Sequence, residues 1–189
     1  MQRRQFITVC SIWFAWPVLA KTPLPKTPSQ AEGPFYPVTN IPIRSNLILD
    51  STMLIGKPFQ LSGKVQNSKG EPLAGIRVEI WQCDGDGYYD HPKQPNVEQF
   101  NRAFAGFGAV ESDINGRFNF STLFPVPYAT RPPHIHVKLK KGDSELLTTQ
   151  LYLRNQTGKE WWGGSERDQL QLDVTSNGEQ LETYFQFVV

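Results

Sequence analysis

Apolar residues in this chain recur at every second position within short pieces, and no stretch keeps a helical period. Ile76-Arg77-Val78-Glu79-Ile80-Trp81 alternates with its apolar residues on one face, and Phe59, Leu61, Gly63 and Val65 repeat at the same spacing. A chain whose side chains change face at each residue is a strand. Turn-formers separate the pieces: Asn67-Ser68-Lys69-Gly70-Glu71-Pro72, Asp113-Ile114-Asn115-Gly116 and Lys141-Gly142-Asp143. Residues 104–110 and 117–122 read as a hairpin across the second turn, and 134–140 and 145–153 as a hairpin across the third. The tail over 170–189 adds two short alternating stretches. Residues 82–99 and 155–167 read as irregular loops, with Trp161-Trp162 as the apolar anchor of the latter. Six or more short strands without an internal repeat predict an all-β chain, a single-domain β-sandwich with long loops.

The N-terminal part has a different composition. Arg3 and Arg4 precede an uncharged, mostly apolar run that ends in Val18-Leu19-Ala20, so residues 1–20 are expected to be an export signal. Arg3-Arg4-Gln5-Phe6-Ile7 resembles a twin-arginine signal, a route for folded proteins that suits one loaded with metal before export. The competing reading is an uncleaved membrane anchor; the run is short for a span of about 20 residues and Pro17 interrupts it. The expectation is a cleaved, exported, periplasmic protein of a bacterial cell, touching membrane only through that signal. Cleavage removes two of the 19 basic residues and none of the 18 acidic ones, leaving 17 − 18 = −1. A charge that near zero argues against a nucleic-acid surface. It also removes Cys10, so Cys83 stands alone and is expected to be a buried small hydrophobe. Residues 21–37 carry Pro23, Pro25, Pro28, Pro34 and Pro37 and predict an extended arm. Its aromatic end, Ala31-Glu32-Gly33-Pro34-Phe35-Tyr36-Pro37, is expected to pack on the domain formed by 38–189.

The chain has three histidines, His91, His134 and His136. On a strand, His134 and His136 share a face, so both imidazoles can reach one ion while Ile135 points the other way. A solvated pair on an exposed face fits the same spacing. No cysteine cluster and no H-E-x-x-H is present, and no acidic residue lies between Asp113 and Asp143 to complete the two-histidine, one-carboxylate pattern of iron(II). Tyr128 stands six positions before His134, stiffened by Pro125 and Pro127, and Tyr89 is a second candidate. A neutral phenol is a poor ligand, but a hard trivalent cation stabilises the phenolate. Two phenolates, two imidazoles and a hydroxide would balance Fe(3+) and leave room for a bidentate anion. Taken singly, each tyrosine reads more simply as an ordinary loop aromatic. Asp84-Gly85-Asp86-Gly87 fails the EF-hand pattern and reads as a tight turn with its acids facing water. Asn119-Phe120-Ser121 and Asn155-Gln156-Thr157 match glycosylation sequons, which a bacterial cell would usually leave silent.

Five stretches together resemble the intradiol ring-cleavage dioxygenases, such as protocatechuate 3,4-dioxygenase, catechol 1,2-dioxygenase and hydroxyquinol 1,2-dioxygenase. They are Glu32-Gly33-Pro34-Phe35-Tyr36; the run from Pro72 to Gln82 with Gly87-Tyr88-Tyr89; Asp113 through Phe120; Pro127-Tyr128 with Arg131-Pro132-Pro133-His134-Ile135-His136; and Leu147-Thr148-Thr149-Gln150-Leu151-Tyr152. The resemblance implies that Tyr89, Tyr128, His134 and His136 hold iron(III), with Tyr89 staying bound and Tyr128 leaving when substrate arrives. It implies a place for Arg131 beside the substrate ring and for Gln150 near the reacting carbons. The implied reaction opens a catechol-type ring with O2 and gives a muconate-type diacid, as in aromatic compound catabolism. The chain departs from that family in the short Ala129-Thr130 link, in lacking a helical N-terminal domain and in its export signal. These departures leave open which catechol is the substrate and whether the chain forms a homo-oligomer. Gly70 through Val78 also resembles transthyretin-like modules that share the architecture without iron. A zinc hydrolase would lack an obvious third protein ligand and general base.

Overall fold

The computed structural model describes residues 22–156 and 164–189. The export signal expected over 1–20 and the Trp161-Trp162 anchor lie outside the described residues. The alternating stretches form β1 (Pro58–Gln66), β2 (Arg77–Trp81), β3 (Phe107–Glu111), β4 (Arg117–Leu123), β5 (His134–Lys141), β6 (Ser144–Leu153), β7 (Gln171–Leu172), β8 (Val174–Asn177) and β9 (Gln180–Val188). They make two sheets, ordered β4-β1-β9-β8 and β3-β2-β5-β6-β7. The helical segments among the described residues are two 3-10 turns, at Val97–Gln99 and Gly164–Leu170. The all-β sandwich expected from the alternation is the observed architecture.

One face of each sheet makes the core. Phe59, Leu61 and Val65 of β1, Phe118 and Phe120 of β4, and Phe185 and Phe187 of β9 face Val78 and Ile80 of β2, Ile135, Val137 and Leu139 of β5, and Leu147 and Leu151 of β6. Gly63 interrupts the β1 series for a steric reason. A Cβ there would sit 2.2 Å from the Phe185 carbonyl oxygen and 2.5 Å from the Phe118 ring.

The hairpin expected across 113–116 does not form. β3 pairs with β2 in one sheet, whereas β4 pairs with β1 in the other. The turn itself is built as its residues dictate: Asp113 Oδ1 accepts from the Asn115 and Arg117 amides at 2.8 and 2.7 Å. However, the Gly116 carbonyl accepts from Val65 N at 2.8 Å and Ser112 N donates to the Ile76 carbonyl at 2.9 Å. These bonds dock the turn on the ends of β1 and β2, so it hands the chain from one sheet to the other. The second expected hairpin, β5 to β6, stands, with a register shift at Leu139/Lys140.

Residues 22–37 form neither helix nor strand, and the segment turns at Pro34-Phe35. Leu24 N donates to the Ser68 carbonyl at 2.7 Å, Thr27 N to Val188 at 2.9 Å and Gln30 N to Thr148 at 2.9 Å. The arm therefore passes from the β1–β9 end of one sheet to β6 of the other, and Phe35 at its end is buried.

Candidate metal centre

β5 opens on the histidine pair. The alternation that sends Ile135, Val137 and Leu139 into the core sends His134, His136 and Lys138 to the opposite face. Trp81 is the cross-strand partner of His136, and the two rings stack at 4.8 Å and 10°. On the other side, Tyr152 is in register with His134 and Gln150 with His136. His134 Nε2 lies 3.2 Å from His136 Nε2 and 3.2 Å from the Tyr89 hydroxyl. The Tyr128 ring meets Tyr89 edge to face at 5.2 Å.

Protonation follows from the neighbours. His134 Nδ1 lies 2.7 Å from the Pro132 carbonyl, which can only accept, so Nδ1 carries the proton and Nε2 presents a lone pair to the cluster. Burial, reinforced by the Arg131 charge, pulls the His134 pKa down to about 4. Burial, then the His134 and Arg131 charges, hold His136 well below the ordinary range. Both imidazoles are thus neutral, as a metal ligand must be. Burial raises the Tyr89 phenol well above its usual value, and raises that of half-buried Tyr128 as well. Only a strong nearby cation would make phenolates of them.

Among the described residues, no three of His, Cys, Asp and Glu come together. The donors that do converge are imidazole nitrogens and phenol oxygens. The Tyr89 hydroxyl and His136 Nε2 each approach His134 Nε2 to 3.2 Å, so the three donor atoms converge closely enough to share one bound cation. A set with hard oxygen donors and no thiolate fits iron(III). Cys83 is buried nearby with its thiol pushed up to about 12 by burial, and its Sγ lies 3.9 Å from the Val126 carbonyl oxygen.

Two loops bring the tyrosines in. In the first, Asp84 is buried, not turned to water as its turn-like sequence suggests. Its Oδ1 accepts from the Asp86 and Tyr88 amides at 3.0 and 2.9 Å, and its Oδ2 from Asn101 N at 2.7 Å. These three bonds satisfy the carboxylate away from solvent, and Asp86 is the acid that remains exposed. The second loop closes on itself: Arg131 N donates to the Tyr128 carbonyl at 2.8 Å and Tyr128 N to that of Arg131 at 3.3 Å, with Ala129 at φ 49°. The short Ala129-Thr130 link is therefore a four-residue turn joining Tyr128 to Arg131. Arg131 donates to Gln150 Oε1 at 2.5 Å, the same oxygen accepts from the Tyr152 hydroxyl at 3.2 Å, and Gln150 Nε2 donates to the Ala31 carbonyl at 2.7 Å.

All six residues singled out for iron or substrate, Tyr89, Tyr128, Arg131, His134, His136 and Gln150, meet in this one region. His91 stays outside it, accepting from Lys93 N at 3.0 Å, but touches Phe35 edge on. The sequence reading assigned no site role to the walls. Phe35 stacks on Tyr89 at 4.6 Å and meets Tyr128 edge on at 5.3 Å. Gly33, at φ +79°, leaves space that a Cβ would fill to within 3.3 Å of His136 Cε1. The aromatics at the end of a proline-rich arm were the available signal for both.

A family profile described as "Dioxygenase" matches residues 31–162. Catechol 1,2-dioxygenase of Candida albicans is 28% identical over 146 residues, covering 67% of this chain and 46% of its own length. Hydroxyquinol 1,2-dioxygenase of Corynebacterium glutamicum is 36% identical over 116 residues, covering 52% of this chain and 36% of its own. This chain thus spans about half or less of the curated relatives it matches. The dioxygenase domain of a dioxygenase–carbohydrate-binding fusion from Streptomyces sp. SirexAA-E superimposes with a TM-score of 0.69 at 30% identity, covering 87% of this chain and 98% of that one.

Proposed function

The chain belongs to the intradiol ring-cleavage dioxygenase family, and on that premise we propose that it is an iron(III)-dependent enzyme that opens a catechol-type ring with O2 to a muconate-type dicarboxylate. The observation that carries this reading is the approach of the Tyr89 hydroxyl and His136 Nε2 to His134 Nε2, each at 3.2 Å, with Tyr128 against Tyr89. Tyr89, Tyr128, His134 and His136 would hold the ion. When bound, iron(III) would supply Lewis acidity and a template for the substrate diol and O2.

The chain's own residues divide the remaining work. Tyr89 is 2% exposed and stacked on Phe35, which suits a ligand that stays. Tyr128 is half-buried, and its phenol is held protonated by burial when it is not a ligand. It can therefore leave as a diol arrives and take one of the diol protons on its hydroxyl oxygen. Arg131, oriented by Gln150, places a fixed cation where negative charge spreads over the bound ring. Trp81 and Phe35 keep the ligand side dry. Residues 1–20 complete the proposal as an export signal that directs the folded protein to the periplasm.

Colour and oxygen consumption test the reading. Iron-loaded protein should be red-brown from tyrosinate-to-iron charge transfer and should take up O2 with at least one of catechol, protocatechuate, hydroxyquinol or a larger catechol. Protein that stays colourless after reconstitution and consumes no O2 with any of them would refute it.

A further inference from the structure

Lys138 follows His136 on the same face of β5 and is only 7% exposed, a buried cation to which the proposed chemistry gives no task. Its ammonium forms one ion pair with Glu32 and another with Glu145 at 3.3 Å. It also lies 4.0 Å from the centre of the Tyr36 ring. Tyr36 donates its hydroxyl to Glu79 Oε2 at 2.7 Å, and Glu79, the cross-strand partner of Lys138, is paired with Arg77 at 2.6 Å. Glu32 and Tyr36 bracket Gly33-Pro34-Phe35. Within that triplet Gly33 faces the His136 ring, with room that a Cβ would fill to 3.3 Å from Cε1, and Phe35 stacks on Tyr89. Lys138 touches both brackets at once.

The two imidazoles are oriented by different means. His134 is held by its bond to the Pro132 carbonyl. A metal-ligating histidine usually gives its second nitrogen such a partner, which sets the ring plane. His136 Nδ1 is buried and has no hydrogen-bond partner among the described residues. Its ring is stacked on Trp81, its Nε2 lies 3.2 Å from His134 Nε2, and Gly33 faces its edge, where an added Cβ would come within 3.3 Å of Cε1.

We propose that Lys138 is a positioning residue for the metal centre: through Glu32 and Tyr36 it clamps residues 32–36, so that Phe35 stays stacked on Tyr89 and the backbone at Gly33 stays beside the His136 ring. The clamp is a property of the metal-free chain, whereas its effect on the ion rests on the iron reading above. The test therefore has two arms, run on wild type, Lys138→Met, Glu32→Gln, Lys138→Arg and, as a control on the same strand, Lys140→Met.

In metal-free protein, hydrogen exchange at the amides of Gly33, Phe35 and Tyr36 should accelerate about tenfold or more in Lys138→Met and Glu32→Gln, and should return toward wild type in Lys138→Arg. In iron-loaded protein, the same two variants should shift the charge-transfer band and release iron to a chelator about tenfold faster, the scale at which residues behind the ligands act. Lys140→Met should match wild type in both arms. Glu32 is 42% exposed, so Glu32→Gln remains a fair test if Lys138→Met does not fold. Wild-type exchange in Glu32→Gln and Lys138→Met would overturn the proposal. So would a loosened arm with unchanged band and iron release. A wild-type protein that takes up no iron overturns the functional reading instead, while the exchange arm still decides whether the clamp exists.

Discussion

Folding holds two imidazoles uncharged that would titrate near 6.5 in the unfolded chain, and this couples stability to pH in the metal-free protein. The pKa of His134 is about 4 in the fold, because of burial first and Arg131 second. Between about pH 6.5 and 4 the unfolded chain therefore binds more protons than the native one, and stability falls as pH falls. For His134 alone the slope approaches about 1.4 kcal/mol per pH unit inside that window. His136 adds in the same direction. Urea titrations of chelator-treated protein should show the decline, and His134→Gln should flatten it; a flat wild-type profile would contradict the assignment. Gly33→Ala probes the next contact. It puts a side chain at φ +79° and a methyl 3.3 Å from His136 Cε1, so it should cost about 1–2 kcal/mol and shift the charge-transfer band. An unchanged band would show that Gly33 does not govern the ring. At this scale the sequence was informative where one local rule sufficed. Period two puts His134 and His136 on one face, and the absence of an acid between Asp113 and Asp143 leaves tyrosine as the oxygen donor. That His136 Nδ1 finds no partner among the described residues depends on what distant segments leave around it, and no local pattern carries that.

The loops that deliver the tyrosines are elements in their own right. Asp84 is the keystone of the first, with three backbone amides donating to its buried carboxylate. Asp84→Ala would strand those amides, and at about 1–3 kcal/mol for a buried unsatisfied donor the loss should reach roughly 3 kcal/mol after partial rehydration. Iron occupancy should fall with it, because Tyr89 ends the same loop; equilibrium urea unfolding and bound-iron analysis read the two effects. Stability at the wild-type level would mean that water replaces the carboxylate. The Asp84 misreading has a plain cause: Asp-Gly-Asp-Gly has the composition of a solvent-facing turn, and the burial of Asp84 comes from Asn101, seventeen residues away. The hairpin across 113–116 failed in the same way. Turn chemistry specifies that the chain reverses, and Asp113 does cap its own turn. It does not specify which strand lies alongside afterwards. That was decided by β1 and β2, which took β4 and β3 into separate sheets.

Among the described residues the buried apolar side chains fall into two clusters with different dependence on the arm. The large core between the sheets takes no residue from 22–37, whereas the small aromatic cluster at the candidate metal centre includes Phe35 with Trp81, Cys83 and Tyr89. β1 and β9 pair in parallel over eight positions, from Phe59↔Leu181 to Gln66↔Val188, so the chain closes its sheet without the arm. Such closure joins segments more than a hundred residues apart, as does the bond from Thr27 N to Val188. Alternation could therefore predict the sandwich but not its strand order. The separation of clusters has a measurable consequence. A chain beginning at residue 38 should keep the far-UV signature of the sheets and unfold cooperatively, because the main core is intact. It should nevertheless lose iron rapidly and lack the charge-transfer band, because Trp81, His136 and Tyr89 lose their cover. A chain beginning at residue 31 retains Glu32, Gly33 and Phe35 and should recover part of the band, with stability reduced by loss of the bonds at Thr27 and Gln30. If the chain from residue 38 fails to fold, the arm belongs to the core. If it folds and holds iron as firmly as the full chain, the arm is packaging with no hold on the centre. Folding with loss of iron is the one result that the division into two clusters permits.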